Sequence, residues 1–130
     1  MRKTVALLLC LSALFGRESI DLTPAEGMQT HVIQTQEYPW CAYSANDLMQ
    51  TYKTNVIARL SDTEHKQYAS MRFFSADYDA IKDRLVRVEV VDAATGRFVD
   101  ARKAFFVLNS RLQSPYSKYL KIAFAKREDA

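Results

Sequence analysis

Few residues of this chain are of a type that could do chemistry, and the two cysteines come first. Cys10 lies in an apolar stretch at the amino terminus that we expect to be removed, which leaves Cys41 as the only thiol. One thiol cannot build a disulfide framework within the chain. A lone cysteine in an oxidising compartment is explained by a metal, by a partner thiol or by burial, because free cysteine is among the most buried residue types.

No enzyme motif accompanies Cys41. The sequence contains no G-x-S-x-G, no H-E-x-x-H and no phosphate-binding loop. Cys41 and His31 are a nucleophile and a base by residue type, but no third group that would orient the imidazole stands in a defined context. The sequence therefore predicts a protein that is not an enzyme and has no catalytic residues.

The first sixteen residues indicate the compartment. A positive Met1-Arg2-Lys3 precedes residues 4–15 (TVALLLCLSALF), which are too short to span a bilayer but suit the apolar part of a signal peptide. We expect a signal peptide at 1–16, a mature chain that starts between residues 14 and 26, and a periplasmic location. Lipidation at Cys10 is the less favoured alternative because Leu9 stands where a small residue is wanted, and a buried terminal helix is another.

The charge balance argues against a nucleic-acid partner. The net charge is +3, of which Arg2 and Lys3 carry two, so about +1 remains after cleavage. The remaining basic residues are scattered rather than gathered in a stripe. We expect contact with a membrane only through the signal peptide or a lipid anchor.

The pattern of apolar residues predicts one small domain. A polar leader at 17–30 precedes a domain at 31–130. The predicted elements are a short strand at 31–36, a helix at 44–52 capped by Ser44, a strand hairpin at 55–60 and 66–70, a helix at 73–85, a strand at 86–91, a short strand or bend at 97–101, a buried strand at 104–108, a last strand at 119–124 and a helical turn at 126–130. This order indicates an α+β fold of small antiparallel sheets with short helices, in two related strand–helix units that meet near residue 85.

The same periodicities predict the core of the second half. Strict alternation at 86–91 places Arg87 and Glu89 outward. The expected core residues are Phe74, Ile81, Leu85, Val88, Val90, Phe106, Leu108 and Phe124. If Phe106 is fully buried, its replacement by Ala should cost about 3–5 kcal/mol.

Residues 90–110 (VVDAATGRFVDARKAFFVLNS) resemble a specific family. The stretch is similar to the V-x-D…F/W-I-D-A-x-x-A-x-Y-V-x-G-S run of the NosL family, periplasmic copper-binding accessory proteins of nitrous oxide reductase. The tail, with its turn at Ser114-Pro115 and its terminal Asp129-Ala130, is similar to the family's carboxyl end. The resemblance covers about residues 36–130 and implies paired strand–helix units. It also implies handling of copper(I) and a partner that is a periplasmic cuproprotein or a copper transporter.

The metal motifs depart from those of the family. The early C-x-x-C-G-M corresponds to residues 38–43 (YPWCAY), which keep only Cys41; Tyr116 replaces a late Met, and a central C-x-x-x-C is lost at 69–73. Copper(I) prefers thiolate and thioether ligands, and a single thiolate does not hold it tightly. The candidate ligands are therefore Cys41 with help from Met71, Met49, His31 or Met28.

Each of these candidates has a structural alternative. Cys41 can be a core residue, Met71 and Met49 can be core fillers, and His31 and His65 can be solvent-facing. Asp92, Asp100 and Lys103 match family positions, and capping or buried structural roles explain them equally well. Two functions follow: a NosL-like accessory protein that binds or delivers copper(I), and a non-metal interaction or structural module that retains the NosL scaffold.

Overall fold

A four-stranded antiparallel sheet forms the centre of the fold, in the order β2-β1-β3-β4. The computed structural model describes residues 20–33, 39–109 and 119–130. Its elements are β1 (Val56–Arg59), β2 (His65–Tyr68), α1 (Met71–Ile81), β3 (Arg87–Val91), β4 (Phe98–Asp100), β5 (Phe105–Asn109) and β6 (Leu120–Phe124), with one-turn 3-10 helices at Tyr52–Thr54, Lys82–Arg84 and Arg127–Asp129. The expected signal peptide, Cys10, Tyr38 and the Ser114-Pro115 turn lie outside the described residues.

The register of the sheet follows from the alternation in its strands. Val56 in β1 pairs with Tyr68 on one side and with Val90 on the other. Because side chains alternate with a period of two, this register places one set of apolar residues on a single face. The predicted α+β fold is confirmed, and the hairpin and the strand at 86–91 are confirmed with ends shifted by one or two residues.

Helix α1 covers one face of this sheet. Phe74 and Ile81, which lie seven residues apart, are both buried against it, as their helical spacing predicts. The hydroxyl of Tyr68 in β2 donates to Oδ2 of Asp77 at 2.6 Å and fastens the helix to the edge of the sheet. We call this the helix side, and its core includes Val56, Ala58, Tyr68, Phe74, Ile81 and Val90.

The opposite face of the sheet is partly polar. Ile57 and Val91 are buried there, packed with Tyr52, Met28, Ile33, Met49 and Phe98. Glu89 alternates onto this face with Ile57, its partner in β1. The prediction that Glu89 points into solvent was wrong, because it is 8% exposed: β3 is an inner strand, and Met28 and Ile33 pack over the same face.

Strands β5 and β6 form a separate two-stranded sheet. It joins the main fold where the backbone N–H of Ala93 donates to the carbonyl of Ala123 at 2.9 Å. Leu120 and Ile122 are buried against Leu22. Within the described residues no α-helix follows β3, so the expected second strand–helix unit is not found there.

The strand predicted at 104–108 forms, but its burial was predicted wrongly. Phe106 is 39% exposed and Leu108 is 70% exposed, because two strands alone cannot cover both faces of an apolar run. Among the other expected core residues, Phe74, Ile81 and Val90 are buried, while Leu85, Val88 and Phe124 are half-buried.

The prediction of a helix at 44–52 was also wrong. Its region contains turns, and the first helical residues are the 3-10 turn at Tyr52–Thr54. Ala45 has a positive φ of 58°, which no α-helix allows. Ser44 accepts hydrogen bonds from Asn46, and Asp47 accepts one from the backbone of Met49, so both side chains stabilise local turns instead of a helix.

The amino-terminal stretch is more closely packed than a polar leader would be. Leu22 is 3% exposed, and its carbonyl accepts a hydrogen bond from the backbone N–H of Lys53 at 3.1 Å. The short strand predicted at 31–36 is not formed at residues 31–33, and the rest of that prediction lies outside the described residues.

Candidate functional site

The loop that carries Cys41 crosses the edge of the sheet at β2. The backbone N–H of Cys41 donates to the carbonyl of Asn46 at 2.7 Å, and the N–H of Ala45 donates back to the carbonyl of Cys41 at 3.0 Å. The N–H of Ala42 donates to the carbonyl of Gln67 at 2.9 Å. The loop therefore holds Cys41 against the main sheet by backbone contacts that need no metal.

The thiol of Cys41 belongs to the helix-side core. Cys41 is 4% exposed and packs in the cluster that contains Leu48, Tyr68 and Phe74. Its sulfur accepts a hydrogen bond from the backbone N–H of Ser44 at 3.5 Å. Of the explanations for a lone cysteine, this environment is the one expected of a buried structural thiol.

Trp40 and Tyr43, the described aromatic residues on either side of Cys41 in its loop, are both exposed. Trp40 is 46% exposed and Tyr43 is 54% exposed. The ring of Tyr43 stacks on Phe73 of helix α1, with centroids 6.3 Å apart. Neither Trp40 nor Tyr43 is therefore buried in the core with Cys41.

Met71 is the first residue of helix α1 and is half-buried. It packs against the same large helix-side cluster as Cys41. It also lines a small cavity between the helix and β6. Among the predicted ligands, Met71 is the one that shares a side of the sheet with Cys41.

His31 and Met49 lie together on the opposite face. Both line an open groove whose walls include Ile33, Arg59 and Phe98. The imidazole of His31 makes an edge contact with the ring of Phe98, with centroids 5.4 Å apart. His31 is exposed, as expected.

Two buried polar residues fix the backbone on which His31 stands. The phenol oxygen of Tyr52 accepts a hydrogen bond from the N–H of His31 at 2.8 Å. The amide of Gln67 accepts from the N–H of Ile33 at 2.9 Å and donates to the carbonyl of His31 at 3.2 Å. Sequence reasoning missed both residues: Tyr52 lay in a helix that does not form, and Gln67 in an alternating strand gives no sign of burial.

The electrostatics of the groove depend on an ion-pair network. Glu89 accepts from Nε of Arg59 at 2.9 Å and from Arg87 at 2.5 Å, so the charge of Arg59 at the groove is compensated. His65 is half-buried, and its Nε2 lies 3.5 Å from the carbonyl oxygen of Ile33. Burial, followed by the charge of Arg59, lowers the pKa of His65.

The family-like acidic residues have structural partners. Asp92 is 3% exposed and accepts hydrogen bonds from the N–H of Ala94 at 3.1 Å and the hydroxyl of Thr95 at 2.7 Å, which closes the turn after β3. Asp100 accepts from the N–H of Arg102 at 2.9 Å, and this bond and the Arg102 side chain lower its pKa. The N–H of Lys103 donates to the carbonyl of Asp100 at 3.0 Å in the same turn.

The structure divides the predicted ligands between the two faces of the sheet. Cys41 and Met71 lie on the helix side, and His31 and Met49 lie on the other. Within residues 20–33, 39–109 and 119–130, no three His, Cys, Asp or Glu side chains are grouped to hold a metal ion. The same division separates Cys41 from His31, the pair that residue type suggests as nucleophile and base.

Comparison with protein-family models, with curated proteins and with solved structures gave no match. In the described part of the chain, no helix has the length and apolar character needed to cross a membrane.

Proposed function

We propose that this chain is a periplasmic accessory protein of the NosL type that takes up copper(I) at the groove formed by His31 and Met49. The observation that carries the proposal is the position of these two side chains on one groove open to solvent. Imidazole and thioether groups both suit copper(I). An open groove suits a protein that passes its ion to a partner, because the ion can leave without unfolding of the core.

The surroundings of His31 support this assignment. Tyr52 and Gln67 hold its backbone from two sides, so little conformational freedom is lost when the imidazole binds an ion. Phe98 packs against the ring and supplies an apolar neighbour. Met28 belongs to the same apolar cluster as Met49 and is a candidate for a further thioether.

The position of Cys41 argues against a site centred on it. Its sulfur is buried and already accepts a hydrogen bond from Ser44. Of its proposed helpers, His31 and Met49 lie across the sheet. Cys41 therefore acts in this proposal as a small apolar core residue.

A copper(I) titration against a competing chelator, under reducing conditions, tests the proposal. His31→Ala and Met49→Leu should each weaken binding by at least about tenfold, because each removes a donor. Met71→Leu is the matched control for Met49→Leu, since it removes a half-buried thioether on the other face, and it should leave the affinity within about twofold. Loss of binding in Cys41→Ser together with full binding in His31→Ala would contradict the groove.

The predicted copper ligands lie on two different faces of the sheet, and this separation favours a second candidate function. A chain with the NosL scaffold but no retained metal site would serve as a structural or protein-interaction module. The loss of the family's first Cys and of its Met residues supports this alternative. The test compares wild type with the His31→Ala/Met49→Leu double variant in the same copper(I) competition. If wild type competes no better than the double variant, the result favours the structural or interaction module over the copper proposal.

Export by the amino-terminal signal remains part of the proposal. Because Leu22 is buried against Leu120 and Ile122, cleavage beyond residue 22 would remove a core contact. We therefore expect the mature chain to begin within the earlier part of the 14–26 interval. Mass spectrometry of the exported protein measures its start, and recovery of the intact Met1 form from a cytoplasmic fraction would contradict export.

A further inference from the structure

Helix α1 begins beside a small cavity. The cavity lies between the first turn of the helix, the Tyr52–Thr54 turn and strand β6. The N–H groups of a first helical turn have no acceptor within the helix and carry partial positive charge. The helix has 11 residues, so this end of its dipole is well developed. A helix end alone does not make a site, but two buried side chains beside it are also without partners.

Ser70 is the first of these side chains. It occupies the position before the helix, yet its hydroxyl makes no capping hydrogen bond. The residue is 7% exposed, and its Oγ has no hydrogen-bond partner. A buried hydroxyl costs stability unless a neighbouring group or ligand forms a hydrogen bond with it. Ser70 lines the cavity, so an occupant of the cavity is close to this residue.

Asn55 is the second. It is 1% exposed, and neither its Oδ1 nor its Nδ2 has a hydrogen-bond partner. It lines an adjoining cavity, which shares Thr54, Met71 and Lys121 with the first. The residues that line these two neighbouring cavities therefore include a hydroxyl, an amide donor and an amide acceptor without hydrogen-bond partners.

The charges around the two cavities have one sign. Lys53 and Lys121 line the one beside Asn55, and Arg72 and Lys121 line the one beside Ser70. Among the described residues that line either cavity there is no Asp or Glu. Together with the helix terminus, these cations favour an anionic occupant.

The size of the cavities selects the form of the anion. Each has a volume of about 10 Å³, which is room for a single oxygen-sized group. The body of a larger anion must therefore lie outside, near Lys121. A monohydrogen phosphate group has ionised oxygens for the donors of Ser70 and Asn55 and an O–H for the Asn55 carbonyl oxygen, whereas sulfate and chloride have no O–H.

We propose that the amino-terminal end of α1 binds inorganic phosphate in its monohydrogen form, whose oxygens enter the cavities beside Ser70 and Asn55 while Lys121 balances its charge. Nothing in this site overlaps the His31–Met49 groove, so the inference stands apart from the copper proposal.

Calorimetric titration of the purified protein in a chloride buffer tests the site. Inorganic phosphate should bind saturably, and sulfate at the same ionic strength should bind more weakly. Ser70→Ala and Lys121→Gln should each raise the dissociation constant by about tenfold, since each removes a charge-assisted contact. Glycerol 3-phosphate, whose second pKa is about 6 so that most of its phosphate groups have no O–H at pH 7.5, should bind more weakly than inorganic phosphate, and equally tight binding would contradict the role given to the O–H.

Lys82→Gln is the matched control, because it removes the same charge just beyond the other end of α1, and it should change the dissociation constant by less than about twofold. Without phosphate, Ser70→Ala should melt no lower than wild type because it removes an unpaired hydroxyl. Absence of saturable phosphate binding, equal binding of sulfate, or Ser70→Ala and Lys121→Gln variants that bind like wild type would each overturn the proposal.

Discussion

The phenol of Tyr52 donates a hydrogen bond of 2.6 Å to the carbonyl oxygen of Gly96. The same phenol oxygen accepts one of 2.8 Å from the backbone of His31. One fully buried side chain therefore ties the turn between β3 and β4 to the segment that forms the proposed copper groove.

Replacing Tyr52 by Phe removes both bonds and leaves the N–H of His31 and the buried carbonyl of Gly96 with one partner fewer. We expect the free energy of unfolding to fall by about 1–3 kcal/mol. Urea denaturation followed by circular dichroism measures the change. Tyr43→Phe, at a site that is 54% exposed, is the control and should change stability by less than about 0.5 kcal/mol. Equal effects of the two variants would contradict the bridging role of Tyr52.

Gly96 and Gly27 form a natural pair for a second prediction. Both have positive φ, of 81° and 77°, so Ala is strained at either position. A Cβ on Gly96 would lie 2.3 Å from the carbonyl oxygen of Gln29, whereas a Cβ on Gly27 would meet nothing within 4 Å. Gly27→Ala should cost about 1–2 kcal/mol from the backbone alone. Gly96→Ala should cost clearly more in urea denaturation, and equal costs would show that residues 28–29 move aside freely.

Aliphatic side chains are buried to different extents in the two sheets, so we expect a large loss of stability from one substitution and almost none from another. Ile57 is 0% exposed in the inner strand β1, so Ile57→Ala should cost about 2–5 kcal/mol. Leu108 is 70% exposed in β5, so Leu108→Ala should change stability by less than about 0.5 kcal/mol. Phe106→Ala should fall between them, below the loss that full burial would give. A larger loss from Leu108→Ala than from Ile57→Ala would contradict the described packing of β5.

The sequence predicted the elements whose periodicity and burial agree. Helix α1 and strand β3 were found because apolar residues recur at 3.6 and at 2 within them. The helix at 44–52 was mispredicted because Ser44 and Asp47 bond to nearby backbone, which competes with a helix and leaves the apolar pattern unchanged.

The sequence alone did not predict which strands pair with each other over long distances along the chain. The division of Cys41 from His31 depends on which face of the sheet each loop covers, and that is set by the order β2-β1-β3-β4. Burial of Glu89 likewise follows from the place of β3 inside the sheet. The candidate copper ligands could be chosen from the sequence by residue type, but the topology of the sheet was needed to tell which of them lie on the same face.

The last prediction concerns the bond between Tyr68 and Asp77. Burial, then the hydrogen bond to the Asp77 carboxylate and its charge, raise the pKa of Tyr68 above its ordinary 10.0, and burial also raises that of Tyr52. Above about pH 10 the unfolded chain therefore releases protons that the folded chain retains, so the free energy of unfolding falls with pH, by up to about 1.4 kcal/mol per unit for each such tyrosine.

Tyr68→Phe should lower stability near pH 7 by about 1.5–3 kcal/mol, because the bond to a carboxylate is lost. Above pH 10 the free energy of unfolding of the variant should fall less steeply with pH than that of wild type, because the variant has one tyrosine proton fewer to retain. The difference in stability between the two proteins therefore narrows as pH rises. Urea denaturation between pH 7 and 11 measures both effects, and Tyr52→Phe is the matched comparison for the second tyrosine. A gap between Tyr68→Phe and wild type that stays constant or widens above pH 10 would contradict the retained proton on Tyr68.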